Sequence, residues 1–294
     1  MRRAAKFGIM WGDRLTFSEM RLMLTFRRDF LFALLALFPA SLMNAQDAPP
    51  QPTIPGADLF EAREFKGADG NVLKYRLLAP IDFDAKADPP QKYPLVLFLH
   101  GAGERGDDNV RQLIHGGRNF TDEALRKRYP AFVIAPQCPA EQKWVEVPWD
   151  GKDHGMPAEP SESLGLTFEA IEALRKEFPI DESRIYGMGL SMGGFGAWDV
   201  LQRKPEMLAA AIPICGGGDP AHVEGFKSTP IWVFHGGADP VVIPPRSRDM
   251  VAALKAAGGH PIYTEYEGVG HDSWTPTFDN RLTWDWLFAQ RKSE

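Results

Sequence analysis

The chain has 294 residues, 44% of them hydrophobic, and carries 33 Lys/Arg against 39 Asp/Glu, a formal net charge of −6 at pH 7. That apolar fraction is enough to bury a large core. The acidic balance excludes a surface built to hold nucleic acid or anionic membranes.

The first segment does not read as part of a core. Arg27 and Arg28 precede nine consecutive apolar residues, 30–38, and Pro39-Ala40-Ser41-Leu42-Met43-Asn44-Ala45 follows. A basic start, a short apolar run and a polar exit predict an export signal over 1–45. Even 30–43 is only fourteen residues, short for a membrane span, so no stable span is expected after cleavage. Arg27-Arg28-Asp29-Phe30-Leu31 also resembles a twin-arginine signal, which leaves the export route open. Residues 1–19 lie upstream of the basic region, and translation is expected to begin at Met20 or Met23. Removing 1–45 takes away seven Lys/Arg and three Asp/Glu and moves the net charge to −10. The expected destination is the periplasm or the medium.

Residues 47–55 hold four prolines in nine positions and predict a flexible leader over 46–58. A single domain is expected over 59–294. It opens with strand-like runs at 59–66 and 72–78 around Asp69-Gly70, a hairpin signal. The pattern then changes. Apolar runs at 95–99, 132–135, 185–188, 210–214, 231–234 and 262–266 read as strands, the first of them continuous enough to be covered on both faces. Helical patterns lie between them. In 161–178 apolar residues fall at 164, 168, 171, 174 and 178, and Pro179 ends the run. Residues 245–257 are closed by Gly258-Gly259, and 282–291 make a final helix. Such alternation predicts an α/β fold with a mostly parallel sheet, helices on both faces and a leading antiparallel hairpin.

The chemistry centres on Gly189-Leu190-Ser191-Met192-Gly193-Gly194, which runs from a strand into a helix. A serine at such a turn is pushed clear of the sheet, and the helix behind it aims free N–H groups at the same spot. Ser191 is the expected nucleophile. A serine needs a base, and the base needs an orienting acid. Asp239 follows the 231–234 strand and His271 follows the 262–266 strand, both at carboxyl ends, where sites collect in open α/β sheets. The order Ser191, Asp239, His271 is that of the α/β-hydrolase fold. Asp219 is the rival acid; Asp272 is too close in sequence to face the His271 ring. The other histidines, His100 and His235 among them, read as structural or surface residues. The loop after the first parallel strand, Gly101-Ala102-Gly103, is placed to supply a second oxyanion donor. The pair assigned is the backbone N–H of Met192 with that of Ala102, Gly103 being the alternative.

Five stretches in order carry a resemblance: His-Gly-Ala-Gly-Glu-Arg-Gly at 100–106, Ala-Pro-Gln-Cys-Pro at 135–139, Gly-Leu-Ser-Met-Gly-Gly at 189–194, His-Gly-Gly-Ala-Asp-Pro-Val-Val at 235–242 and Gly-His-Asp-Ser-Trp at 270–274. They look like a group of secreted bacterial α/β hydrolases labelled "predicted peptidase". That group is similar to polyhydroxybutyrate depolymerases and to feruloyl and acetylxylan esterases. The resemblance covers roughly 60–290 and implies the α/β-hydrolase fold and a serine hydrolase without a cofactor. Its usual sheet order implies that Cys138 and Cys215 lie three strand spacings apart, ~14 Å, too far for a disulfide, so two free thiols are expected.

The expected reaction is hydrolysis of a carboxylic ester through an acyl-enzyme, on acyl esters of polysaccharides or similar small esters. Trp144, Trp149 and Trp274 are the expected substrate contacts, since loop aromatics suit flat apolar or sugar-ring surfaces. Glu104 and Arg105 are expected to pair and brace the oxyanion loop. No His, Cys and carboxylate run has metal-ligand spacing, so no metal is expected. Two rivals remain: a serine peptidase of oligopeptides, and an inactive carbohydrate-binding module on a hydrolase fold.

Overall fold

The structure, a computed structural model, describes residues 53–292. The export signal and most of the leader therefore lie outside the described residues. Packing onto the domain extends upstream of the hairpin: Ile54, expected in the flexible leader, lies with Ala57 on an apolar layer of the domain. The Ala57 N–H donates to its carbonyl at 3.1 Å. Burial of the Ile54 side chain supplies what a Pro-rich segment otherwise lacks.

Eight strands form one sheet: β1 (Glu61–Lys66), β2 (Val72–Leu78), β3 (Tyr93–Leu99), β4 (Phe132–Pro136), β5 (Ile180–Leu190), β6 (Ala210–Ile214), β7 (Trp232–Gly236) and β8 (Ile262–Tyr266). Their order is β1-β2-β4-β3-β5-β6-β7-β8. β1 and β2 pair antiparallel, as do β2 and β4; every other neighbour is parallel. The helices are α1 (Gly117–Thr121), α2 (Glu123–Arg128), α3 (Glu162–Glu177), α4 (Met192–Arg203), α5 (Pro245–Ala256), α6 (Trp274–Asp279) and α7 (Arg281–Ala289). This is an α/β-hydrolase-like fold.

The sheet separates two cores. Strand β3 shows why its run is unbroken: Leu95, Leu97 and Leu99 point into one layer, and Val96 and Phe98 into the other. Successive side chains of a strand face opposite ways, so a strand covered on both sides must be apolar at every position. The first layer packs α3, α4 and α5 through Leu164, Ile171, Leu174, Phe195, Trp198, Met250 and Leu254. The second packs α1, α6 and α7 through Phe120, Phe278, Trp284 and Leu287, with Leu125 of α2 partly buried against it.

Helix α3 begins where Ser161 accepts from the Leu164 N–H at 3.2 Å, and it stops before Pro179, which has no N–H to continue it. Cys138 follows β4 and Cys215 follows β6, with β3 and β5 between them. Both thiols are free and buried. Among the described residues, no helix is long and apolar enough to cross a membrane.

Candidate active site

The elbow between β5 and α4 presents Ser191. Its backbone sits at φ 53°, ψ −117°, a conformation that costs about 1–3 kcal/mol and persists only when the surroundings hold it. They do so by close packing. A Cβ at Gly189 would lie 2.0 Å from the Gly193 carbonyl oxygen, and one at Gly193 would lie 1.9 Å from that of Leu99. No side chain fits at either position, and this accounts for both flanking glycines.

His271, in the loop between β8 and α6, stands 2.9 Å from Ser191 Oγ through Nε2 and 2.7 Å from Asp239 Oδ2 through Nδ1. A carboxylate only accepts, so Nδ1 carries the proton and Nε2 is left to accept from the serine hydroxyl. The Asp239 side chain is fully buried. Its Oδ1 takes N–H bonds from Val241 at 2.8 Å and Val242 at 3.0 Å. Burial alone would raise its carboxyl. The bonds from His235, His271 and Val241 outweigh burial and hold it far below the usual carboxylate range. Ser191, Asp239 and His271 are thus brought together in one hydrogen-bonded row.

The rival acid is elsewhere. Asp219 caps the turn at Pro220–Phe226, accepting from the N–H groups of Ala221 and Met156 and pairing with His222. Asp272 is occupied with Thr275 at the start of α6.

Met192 follows Ser191 in the chain, and Ala102 lines the same cleft as Ser191. Met192 opens α4 and Ala102 opens the short turn Ala102–Glu104, so neither N–H has an acceptor within its own helix. The loop carrying Ala102 is fixed from beneath by buried polar groups. The Cys138 N–H donates to His100 Nε2 at 3.0 Å, and the His100 Nδ1–H donates to the Gly101 carbonyl at 2.6 Å. Burial lowers the His100 pKa to about 4, so the ring is neutral.

Trp144 was expected to touch substrate and does not. It is fully buried, packs edge-on to His100 at 5.2 Å, and donates its indole N–H to the His100 carbonyl at 3.0 Å. A tryptophan with a buried partner for its N–H is core, and here it braces the loop. The expected Glu104–Arg105 pair is also absent. Arg105 donates to the Ala102 carbonyl at 2.9 Å, while Glu104 turns into the cleft 3.6 Å from His115. Burial raises the Glu104 carboxyl, against the opposing pull of His115.

A cleft of roughly 260 Å³ opens over the serine, lined by Ala102, Glu104, His115, Trp149, Ser191 and Trp274 among others. Trp149 lies 4.9 Å below the Lys143 ammonium, and Trp274 meets the His271 ring edge-on at 5.3 Å. Two of the three expected tryptophans therefore reach the cleft. Glu104, His115 and Val241 also line it, and sequence spacing carries no signal that they would. A wider groove of about 680 Å³ beside α1, α2 and α6 holds neither the serine nor the histidine.

The donor atoms of Cys215, Asp239 and His271 lie within 4.8 Å of one another. Asp239 and His271 already have hydrogen-bond partners, and burial pushes the Cys215 thiol up to about 12. A metal needs a thiolate and free carboxylate lone pairs, so this set fits a hydrogen-bonded row better than a metal site.

Residues 155–277, which contain Ser191, Asp239 and His271, match the Dienelactone hydrolase family. A solved thermostable esterase is 44% identical with a TM-score of 0.73, over 80% of this chain and 64% of that one. The acyl-protein thioesterase 1 of Neurospora crassa is 28% identical over 207 residues, 60% of this chain and 80% of that protein. An uncharacterized secreted protein of Arthroderma benhamiae is 24% identical over 243 residues, 69% of this chain. This chain spans 24% of the length of that last relative and just under two thirds of the thermostable esterase.

Proposed function

We propose that the chain is an exported serine carboxylic-ester hydrolase that works through an acyl-enzyme. The observation that carries the proposal is the unbroken row Ser191–His271–Asp239, with links of 2.9 and 2.7 Å, whose Ser191 and His271 line an open cleft. Esterases among the similar proteins support it.

Ser191 Oγ attacks the ester carbonyl while His271 Nε2 takes its proton. Charge then develops on the carbonyl oxygen, and the N–H groups of Met192 and Ala102 receive it. His271 returns the proton to the departing alkoxide, leaving the acyl group on Ser191. A water deprotonated by the same nitrogen attacks the acyl-enzyme, and the acid departs. Asp239 stays ionised throughout, holds the tautomer and steadies the imidazolium.

Trp149 and Trp274 form the walls that receive the ester, and their faces suit a flat acyl group or a sugar ring. Acyl esters carried on polysaccharide, or small esters like them, are the proposed substrates. The signal pattern at 1–45 supports export.

Hydrolysis of p-nitrophenyl acetate, p-nitrophenyl butyrate and methyl ferulate by the protein and by Ser191→Ala tests the proposal. Turnover by the wild type alone is expected, and the relative rates rank the acyl groups. Cleavage of oligopeptides with no turnover of any ester would transfer the same row of residues to a peptidase.

A further inference from the structure

Asp239 has a second histidine. His235, the fourth residue of β7, is fully buried, and its Nε2 lies 2.8 Å from the Val242 carbonyl oxygen and 3.3 Å from Asp239 Oδ2. Both neighbours are acceptors, so Nε2 must carry a proton. The short bond of that N–H is to Val242; Asp239 Oδ2 accepts from His271 and has the His235 nitrogen 3.3 Å away, while Oδ1 takes the N–H groups of Val241 and Val242. Each carboxylate oxygen therefore faces two N–H groups, the His235 one at the longest distance.

The other face of the His235 ring is tied down as well. Nδ1 is 2.7 Å from Ser247 Oγ on α5, and that hydroxyl is 3.1 Å from the Gly216 carbonyl. Gly216 lies directly against the first turn of α4: a Cβ there would be 2.6 Å from the Phe195 nitrogen. Packing of Gly216, Ser247 and His235 thus leads from the backbone under the nucleophile to the acid that aligns the base, without passing through His271.

We infer that His235 is a positioning residue for the esterase reaction, fixing Asp239 Oδ2 and limiting how strongly that oxygen holds the proton of His271. The inference rests on the serine-hydrolase reading above. An Oδ2 relieved of His235 would turn toward the remaining donor and bind the His271 imidazolium more tightly. The base would be less well aimed at Ser191.

The other ionisable groups nearby have partners of their own. Glu265, opposite His235 on β8, is held by Arg248 and Tyr263. Asp272 binds Thr275, and burial keeps the Cys215 thiol neutral. The link through Asp239 is what remains to connect His235 to the base.

His235→Leu removes the donor, and His235→Gln keeps an N–H in reach of Oδ2. Rates are normalised to serines titrated with a phosphonate, so misfolded enzyme is not counted. For His235→Leu, kcat is expected to fall about 10- to 100-fold with KM within twofold. His235→Gln is expected to recover most of the loss. Wild-type kcat in a folded, fully titrating His235→Leu would overturn the inference, as would a loss carried by KM instead of kcat.

Should His235→Leu not fold, histidine ¹⁵N spectra of the wild type provide the decision. A proton on His235 Nε2 with a coupling to Asp239 is expected, and an unprotonated Nε2 would overturn the role. Those spectra do not depend on turnover. Failure of the esterase reading itself would appear separately, as wild type and Ser191→Ala hydrolysing every ester at the same background rate.

Discussion

Two strands of the sheet end in the same two residues, His100-Gly101 after β3 and His235-Gly236 on β7, and both histidines are buried. Their surroundings are opposite. His100 Nε2 receives a backbone N–H, so the ring is a neutral bridge between two stretches of main chain. His235 Nε2 faces a carbonyl and a carboxylate, so it must donate. The first end holds the loop that offers the Ala102 N–H. The second holds the acid behind the base. Which role a buried histidine plays is decided by whether its ring meets donors or acceptors, and the local sequence is the same in both cases.

The largest effect should come from the β7 side. Asp239→Asn keeps the shape but offers His271 Nδ1 the wrong partner or the wrong tautomer, and kcat should fall by about 10⁴-fold in steady-state assays. A loss of tenfold or less would mean that His235 and the backbone can align the base without a carboxylate.

The glycines sharpen the same contrast in stability. A Cβ at Gly236 would lie 1.9 Å from the Gly270 carbonyl oxygen, next to His271, and main chain cannot step aside cheaply. A Cβ at Gly101 would meet side-chain atoms, Leu190 Cδ1 at 2.8 Å and Glu104 Oε2 at 2.9 Å, which can turn away. Urea unfolding should show Gly236→Ala losing about 3 kcal/mol or more and Gly101→Ala about 1 kcal/mol. Equal losses would break the distinction.

On the β3 side, acid should act through His100. Its folded pKa of about 4 lies below the unfolded value of 6.5, so the unfolded chain takes up the proton first. The stability this neutral ring supports is complete above about pH 7.5 and drains as pH falls from 6.5 toward 4, on the order of 3 kcal/mol in all. His100→Gln should flatten that part of the stability–pH curve, whatever it does to stability at pH 8. An unchanged slope would place the acid sensitivity elsewhere.

The smallest effects separate the tryptophans. Trp144→Phe leaves the buried His100 carbonyl without its indole donor and should lose about 1–2 kcal/mol with KM unchanged. Trp274→Ala should instead raise KM several-fold in the ester assay, through lost contact area over the cleft. A KM effect from Trp144→Phe would return that residue to the substrate.

The central strands were legible because a strand covered on both faces cannot hide a polar residue, as β3 and β4 illustrate, and α3 was legible from its spacing and its Ser161 and Pro179 borders. Helices α1, α2 and α6 were not, since five or six residues are too few to show a period. The row Ser191–His271–Asp239 was legible because strand ends and chain order limit who can meet whom. The place of Trp144 is not legible, because a core tryptophan and a cleft tryptophan can have the same neighbours in sequence. What distinguished it was the His100 carbonyl 44 residues away. His235 read as structural for the same reason: Ser247, Gly216 and the Asp239 carboxylate converge on its ring only once β7 and α5 have packed.

The most direct test is covalent. The protein is treated with a fluorophosphonate, digested and mapped by mass spectrometry, with Ser191→Ala and Asp239→Asn alongside. A single adduct on the peptide containing Ser191 is expected, forming fast in the wild type, slowly in Asp239→Asn and not at all in Ser191→Ala. An adduct on another residue, or none on a folded wild type that still hydrolyses esters, would contradict an acyl-enzyme at Ser191.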